Sequence, residues 1–201
     1  MDTDLPFSQA CENNKGPILE ILKRVFDRPA RVLEIGTGTA QHAVHFAASL
    51  PHLHWQPSDQ IDWHEQGAER LRRHQSANMA SLIELDVRND LHWRTLQADH
   101  AYSANTAHFM AWESVECMFA GIGSVLPTSG CFVLYGPFNE NGRYTSESNE
   151  AFDAFLRERD PSFGIRDIRQ LESLAETNRM TLHQRHTMPA NNQILVFKRC
   201  D

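Results

Sequence analysis

Leu33-Glu34-Ile35-Gly36-Thr37-Gly38-Thr39-Ala40-Gln41-His42 is the stretch that decides the fold. It completes Arg31–Ile35, a short apolar run that reads as a buried strand and stops at Gly36. Beyond the turn, Ala40, Ala43, Val44 and Ala47 recur at helical spacing and give a small-residue face suited to close packing on a sheet. Strand, glycine turn and helix in that order make a nucleoside-binding corner. Glycines there permit a tight turn and let a ligand approach the backbone near the positive end of the helix. A dinucleotide fingerprint, G-x-G-x-x-G, would put glycine where Gln41 stands, which argues against an NAD-dependent oxidoreductase.

On either side, short apolar runs alternate with helical periodicity, the pattern of a parallel sheet covered by helices. Ile18, Ile21, Leu22 and Val25 share one helical face, with Pro17 expected near that helix's first turn. His54-Trp55-Gln56 reads as a second strand ending at Pro57-Ser58-Asp59, with a helix then running to Arg73. Ser81–Leu85 is a third strand closed by Asp86, and a weak fourth lies near Ala101–Asn105, poor in β-branched residues. Val115, Met118, Phe119, Ile122 and Val125 form a helical stripe before a fifth strand, Cys131–Tyr135. A polar loop through Asn139, Asn141 and Gly142 leads to helices marked by Phe152, Phe155 and Leu156, then by Ile168, Leu171, Leu174 and Ala175. Met180–His186 and Gln193–Lys198 flank Pro189-Ala190-Asn191-Asn192, a turn so short that its strands must be antiparallel. The expectation is an α/β fold in one domain over residues 1–201, with residues 1–28 as an N-terminal lid and helix.

Two further carboxylates stand where such a corner needs them. Asp59, after the second strand, can accept both hydroxyls of a ribose, and Asp is equally a good helix cap. Asp86, after the third, can accept an adenine amino group, with the Val87 N–H offered to the ring. Three turns at the carboxyl ends of three successive strands point at one crevice.

Composition limits the partners. The formal net charge is −7 and there is no run of Lys or Arg, so nucleic acid is not expected as a partner and a small molecule is. No apolar stretch approaches the ~20 residues that cross a bilayer, and no membrane association is expected. Cys11, Cys117, Cys131 and Cys200 are scattered without a CxxC pair, and the first fifteen residues are polar and acidic, unlike a leader. A cytoplasmic location with reduced thiols follows as the expectation. His52 with His54, and His183 with His186, bring no third ligand at a recognisable spacing, so no metal is expected.

The order E-x-G-x-G, with Glu34 two residues before Gly36, is the form found in methyltransferases. Over nearly its whole length the chain resembles the small methyltransferase-like twenty-six family. The resemblance rests on Glu12-Asn13-Asn14-Lys15 with Pro17, Leu33–His42, Trp55–Asp59, Leu85-Asp86-Val87, Ser103–His108, Leu134–Phe138 and Met188–Asn192. It implies a Rossmann-like class I methyltransferase fold, a seven-stranded, mostly parallel sheet with an antiparallel last strand. It also implies S-adenosyl-L-methionine as cofactor, held by Glu34, Gly36, Thr37, Gly38, Gln41, His42, Asp59, Asp86, Val87 and Asn105. On the same ground Glu12, Asn13 and Lys15, taken to precede the first helix, are expected to close over the cofactor, Asn13 and Lys15 binding it. It implies no particular substrate and no oligomeric state.

Methyl transfer is an in-line displacement in which the protein orients the reactants and, for some nucleophiles, supplies a base. The end of the fourth strand, Asn105-Thr106-Ala107-His108, forms the floor of such a site and lacks the N/D-P-P-Y/F of amino-methylating enzymes. His108 reads as a general base titrating near ~6.5 or as a structural histidine. Tyr135 lines the pocket or packs in the core, and Glu12 and Tyr135 are the other candidate bases. Competing readings are a cofactor-binding protein without turnover and a methyltransferase acting on RNA or protein.

Overall fold

A computed structural model of the chain describes residues 4–201. Its main sheet has seven strands: β1 (Ala30–Ile35), β2 (Leu53–Asp59), β3 (Ile83–Glu84), β4 (His100–Ala104), β5 (Cys131–Gly136), β8 (Met180–Met188) and β9 (Asn192–Arg199). Their order is β3-β2-β1-β4-β5-β9-β8. β1 runs parallel to β2 and β2 to β3, while β9 is antiparallel to both β5 and β8. This is the mostly parallel, antiparallel-ended class I sheet that the sequence leads one to expect. The chain forms two compact units, one ending at Tyr102 and the other beginning at Ser103.

In the first unit, α1 (Gln9–Val25), α2 (Gln41–Ser49) and α3 (His64–Arg73) accompany β1, β2 and β3, and α4 is the single turn Asp90–Trp93. β1 is buried from Val32 through Ile35, as an apolar run covered on both faces must be. Phe46 of α2, Trp55 of β2 and Tyr102 of β4 form a ring cluster with centroids 5.4–5.7 Å apart, at the tilted and edge-on angles aromatic quadrupoles favour. Pro17 is well inside α1 rather than near its start. The helix begins at the Ser8 cap, whose hydroxyl accepts the Cys11 N–H. Burial of Ile18, Leu19, Ile21 and Leu22 beyond the proline offsets the ~3 kcal/mol that a proline costs in a helix interior. β3 is shorter than the expected Ser81–Leu85, and ahead of it the Ser81 carbonyl accepts from the Gln56 side chain.

The second unit packs α5 (Trp112–Val125), α6 (Glu147–Arg159) and α7 (Ile168–Thr177) with β5, β8 and β9. Phe119, Phe132 and Phe197 lock α5 to the sheet at centroid distances of 5.3–6.0 Å. The β8–β9 hairpin turns through Ala190 and Asn191, both at φ +56°, the left-handed pair that a two-residue hairpin turn needs. The loop after β5 carries a small parallel pairing absent from the expected pattern, β6 (Phe138–Asn139) on β7 (Arg166–Asp167). Phe155, expected on the packed face of α6, is half exposed beneath the Arg159 guanidinium.

Candidate functional site

The glycine turn is wired to β2 by its own backbone. Gly36 and Thr37 both donate their N–H to the Ser58 carbonyl, at 3.0 and 3.1 Å, and the Gly38 N–H donates to Oδ2 of Asp59 at 2.7 Å. Gly36 and Gly38 have φ of +76° and +53°, a region where a Cβ is penalised, and a side chain added at Gly38 would meet nothing within 4 Å. The turn is thus open on one side. On another side it is closed by α3, where Gly67 comes so near that an added Cβ would lie 2.6 Å from the Gly38 carbonyl oxygen. Ala40 completes the corner in the left-handed region at φ +59°.

Glu34 and Thr37 face inward. The Thr37 hydroxyl donates to Oε2 of Glu34 at 3.1 Å and accepts the Ser58 N–H, while Trp55 Nε1 donates to the same Glu34 oxygen at 3.0 Å. Only 2% of Glu34 is exposed, and burial pushes its carboxyl up to about 7 against the two donors.

Asp59 ends β2, and the helical turn that follows, residues 61–63, is capped by Gln60 without a side-chain bond. The capping role is therefore absent. Its carboxylate instead braces the Gly38 N–H and the Gln60 N–H, at 2.7 and 2.8 Å, and burial raises its affinity for protons. Each carboxylate oxygen retains lone pairs for a further donor. Ile61 and Trp63, large, apolar and exposed, follow directly, and sequence reading overlooked both. Asp86 is half-buried, and Arg88 grips both its oxygens, holding the carboxyl below its usual range. Val87 is buried, and its carbonyl accepts from Trp93 Nε1.

Glu12, Asn13 and Lys15 lie within α1 rather than ahead of it, a correction that follows from the Ser8 cap. Glu12 pairs with Lys15, which lowers its carboxyl, and also accepts from Gln41 Nε2 at 3.3 Å. Asn13 is exposed and accepts from Gln9. Gln41 is buried and bonds the Ser8 N–H and carbonyl, tying the start of α1 to the start of α2. His42 continues the tie. Its Nε2 lies 2.7 Å from Asn14 Oδ1 and its Nδ1 3.2 Å from the Tyr102 hydroxyl. Tyr102 donating to Nδ1, and Nε2–H donating to Asn14, satisfy all three groups with a neutral ring. Burial, aided by the charge of His45, pulls the ring down to about 4.

In the second unit, Asn105 follows β4 at φ +55°, and its N–H donates to the Tyr135 carbonyl at 2.9 Å. Tyr135 itself is buried in β5. His108 sits in the helical turn Ala107–Phe109, 4% exposed, against the Gly136 backbone and edge-on to Phe152. Burial first, and the Arg166 charge second, pull it down to about 4, well below the ~6.5 of a free imidazole. Arg166 is the residue sequence reading missed. Its guanidinium donates to the carbonyls of Ala107, Met110 and Ser162 and stacks over Trp112, while the His108 carbonyl accepts the Gly164 N–H. The Ala107 and Met110 carbonyls are 59 and 56 residues away from Arg166 in sequence, with no motif to announce them. Asn191 and Asn192, at the hairpin tip, bond to Ser148, Asn149, Pro189 and Ala190.

Among the described residues, no three His, Cys, Asp or Glu side chains gather as a metal site, and no helix is long and apolar enough to cross a membrane.

The fold recurs in solved structures. An O-methyltransferase family protein from Burkholderia thailandensis superimposes with a TM-score of 0.81 at 11% identity, over 95% of this chain and 58% of that one. The mitomycin 7-O-methyltransferase MmcR gives 0.78 at 14% identity, over 94% and 53%. Human N-acetylserotonin methyltransferase, solved with SAM, gives 0.75 at 14% identity, over 94% and 52%. The chain spans between half and three fifths of the length of these enzymes. At such identities the likeness concerns the fold. Sequence comparison is more specific: residues 5–199 match the family described as "Protein of unknown function (DUF938)", and the chain belongs to that family.

Proposed function

We propose that the chain is an S-adenosylmethionine-dependent methyltransferase acting on a small molecule, and that residues 1–201 work as one catalytic domain. The observation that carries the cofactor choice is the hydrogen-bond accounting of the glycine turn. A pyrophosphate is held by unspent backbone N–H groups at such a corner. Here the N–H groups of Gly36, Thr37 and Gly38 are consumed by β2, and that of Ala40 by the Thr37 carbonyl, so the glycine turn itself keeps none of these four for an anion. What the corner offers instead is the open side of Gly38, a carboxylate at Asp59 and exposed apolar surface at Ile61 and Trp63. That set suits a nucleoside without phosphate.

On this reading Asp59 accepts the ribose hydroxyls, and Asp86 and Val87 meet the adenine. Gly36 and Gly38 admit the ligand to the backbone, and Asn105 joins the cofactor residues on the resemblance alone. Glu34, Thr37, Gln41 and His42 hold the turn and the start of α2 in place, while Glu12, Asn13 and Lys15 form a flank. S-adenosylmethionine supplies an electrophilic methyl group when bound. For an acceptor that arrives protonated, neutral His108 is the base and Tyr135 supports the loop beside it. The acidic balance and resemblance to small-molecule enzymes favour a small acceptor over nucleic acid, and the reduced state of the four cysteines fits a cytoplasmic location. Cofactor binding without turnover is the second reading, favoured by the low basicity of buried His108.

Melting in the presence of S-adenosylmethionine, S-adenosylhomocysteine and NAD tests the cofactor. A ligand at a hundred times its Kd stabilises by ~2.7 kcal/mol, and only the first two are expected to act. A shift with NAD and none with S-adenosylhomocysteine defeats the proposal. Labelled methyl transfer into a metabolite extract then separates turnover from binding alone.

A further inference from the structure

A crevice of about 380 Å³ lies among α1, α2 and the end of α3, within the first unit. Lys15, His45, Arg70, His74 and Ser76 line it, against a single carboxylate, Glu12, which is already paired with Lys15. Among the described residues four buried side-chain polar atoms have no hydrogen-bond partner, and two of them, Nε2 of His45 and Oγ of Ser76, belong to this crevice. Native proteins leave few such atoms unmatched, because each costs about 1–3 kcal/mol. Two beside one cleft point to a ligand that supplies the acceptors.

We propose that this crevice binds an oxyanion of the phosphate class. Lys15 of α1, His45 of α2 and Ser76 of the segment after α3 line it, so residues with donor groups surround the space from three segments of the chain. A tetrahedral oxyanion presents acceptor oxygens to all three at once, which a planar carboxylate does less well. A neutral His45 can donate through Nε2, and burial of the ring first, with the Lys15 charge second, favours that neutral form. Arg70 adds positive charge while its Nε and Nη2 donate to the carbonyls of Thr39 and Pro6. The site uses neither the open side of Gly38 nor Asp59, and it shares Lys15, Glu12 and Gln41 with the surroundings of the proposed cofactor site, which is why S-adenosylhomocysteine affinity is read alongside.

Inorganic phosphate provides the probe, titrated into the full chain against sodium chloride of equal ionic strength. Melting temperature and the ring signals of His45 and His74 are the readouts. A saturable rise in melting temperature, with both rings shifting, is expected. Ser76→Ala and His45→Phe should each weaken phosphate binding at least ~10-fold, while S-adenosylhomocysteine affinity stays as in the unaltered chain. Ribose 5-phosphate in a second arm identifies the source: tighter binding than inorganic phosphate assigns a phosphorylated metabolite, and equal or weaker binding the free ion. No effect beyond chloride overturns the proposal, and so does a phosphate effect that both variants leave unchanged. Circular dichroism of each variant separates lost binding from lost folding, and the titration of the unaltered chain stands whatever the variants do.

Discussion

Replacing Glu34 by Gln is expected to stabilise the protein at neutral pH and to do nothing in acid. The carboxyl is buried, and its proton affinity is raised from an ordinary 4.5 to about 7. Below pH 4.5 it is protonated in both folded and unfolded chains and contributes no pH dependence. Between 4.5 and about 7 the unfolded chain releases a proton that the folded chain keeps, so stability falls as pH rises. Above about 7 both forms are ionised and the penalty levels off. At ~1.4 kcal/mol per tenfold change in proton affinity, the gap corresponds to about 3 kcal/mol. Glutamine has nearly the same shape and keeps a carbonyl oxygen for Thr37 and Trp55 Nε1, so it sheds the penalty without opening a cavity. Urea denaturation of both proteins from pH 4 to pH 8.5 measures the difference directly. The two should coincide at the acid end and separate by about 3 kcal/mol, E34Q the more stable, at the alkaline end. A constant difference across the range, or a destabilised E34Q at pH 8, would mean that Glu34 is folded as a well-solvated carboxylate and would refute the argument.

Asp59→Ala should weaken S-adenosylhomocysteine binding at least ~10-fold in calorimetry and speed amide exchange at Gly38; unchanged affinity removes Asp59 from the ribose. His108→Gln should keep S-adenosylhomocysteine affinity within a few-fold and lower turnover ~10²–10⁴-fold on the acceptor found by the extract screen. The unaltered enzyme's rate should fall on an acid limb near pH 4, not near 6.5, and a limb at 6.5 or full turnover in the variant rejects His108 as base. His42 and His108 both titrate near 4 when folded, so the unfolded chain takes up protons first as pH drops below ~6.5. Each contributes about 3 kcal/mol that is present above 6.5 and lost on acidification towards 4. Glu34 acts in the opposite sense, so the loss is best measured in E34Q, and a ring signal of His42 titrating at 6.5 would contradict it.

The glycine corner was legible because its chemistry is local. An apolar run, two glycines at positive φ and a small-residue helix face are all adjacent in sequence. The sheet's antiparallel end was legible for the same reason, in a four-residue turn. Pro17 misled because a proline inside a helix is tolerated only when burial downstream outweighs it, and burial is not a local property. Asp59 could be placed after β2 by its spacing from the glycine turn, but not its grip on the Gly38 N–H, which the spacing rule assigns to no residue. β6 and β7 are two residues each, too short for periodicity to register, and the role of Arg166 depends on carbonyls, which every residue has.

Gly67 has a kinetic consequence. With α3 set close behind the Gly38 carbonyl and β2 holding three consecutive amides, the corner has no folding left to do when a ligand arrives. Ordering costs are therefore small, and the encounter itself limits the rate. The observed rate of association should climb in proportion to ligand concentration without reaching the plateau that a slow loop rearrangement imposes, and differences in affinity among nucleosides should appear in how fast each one leaves.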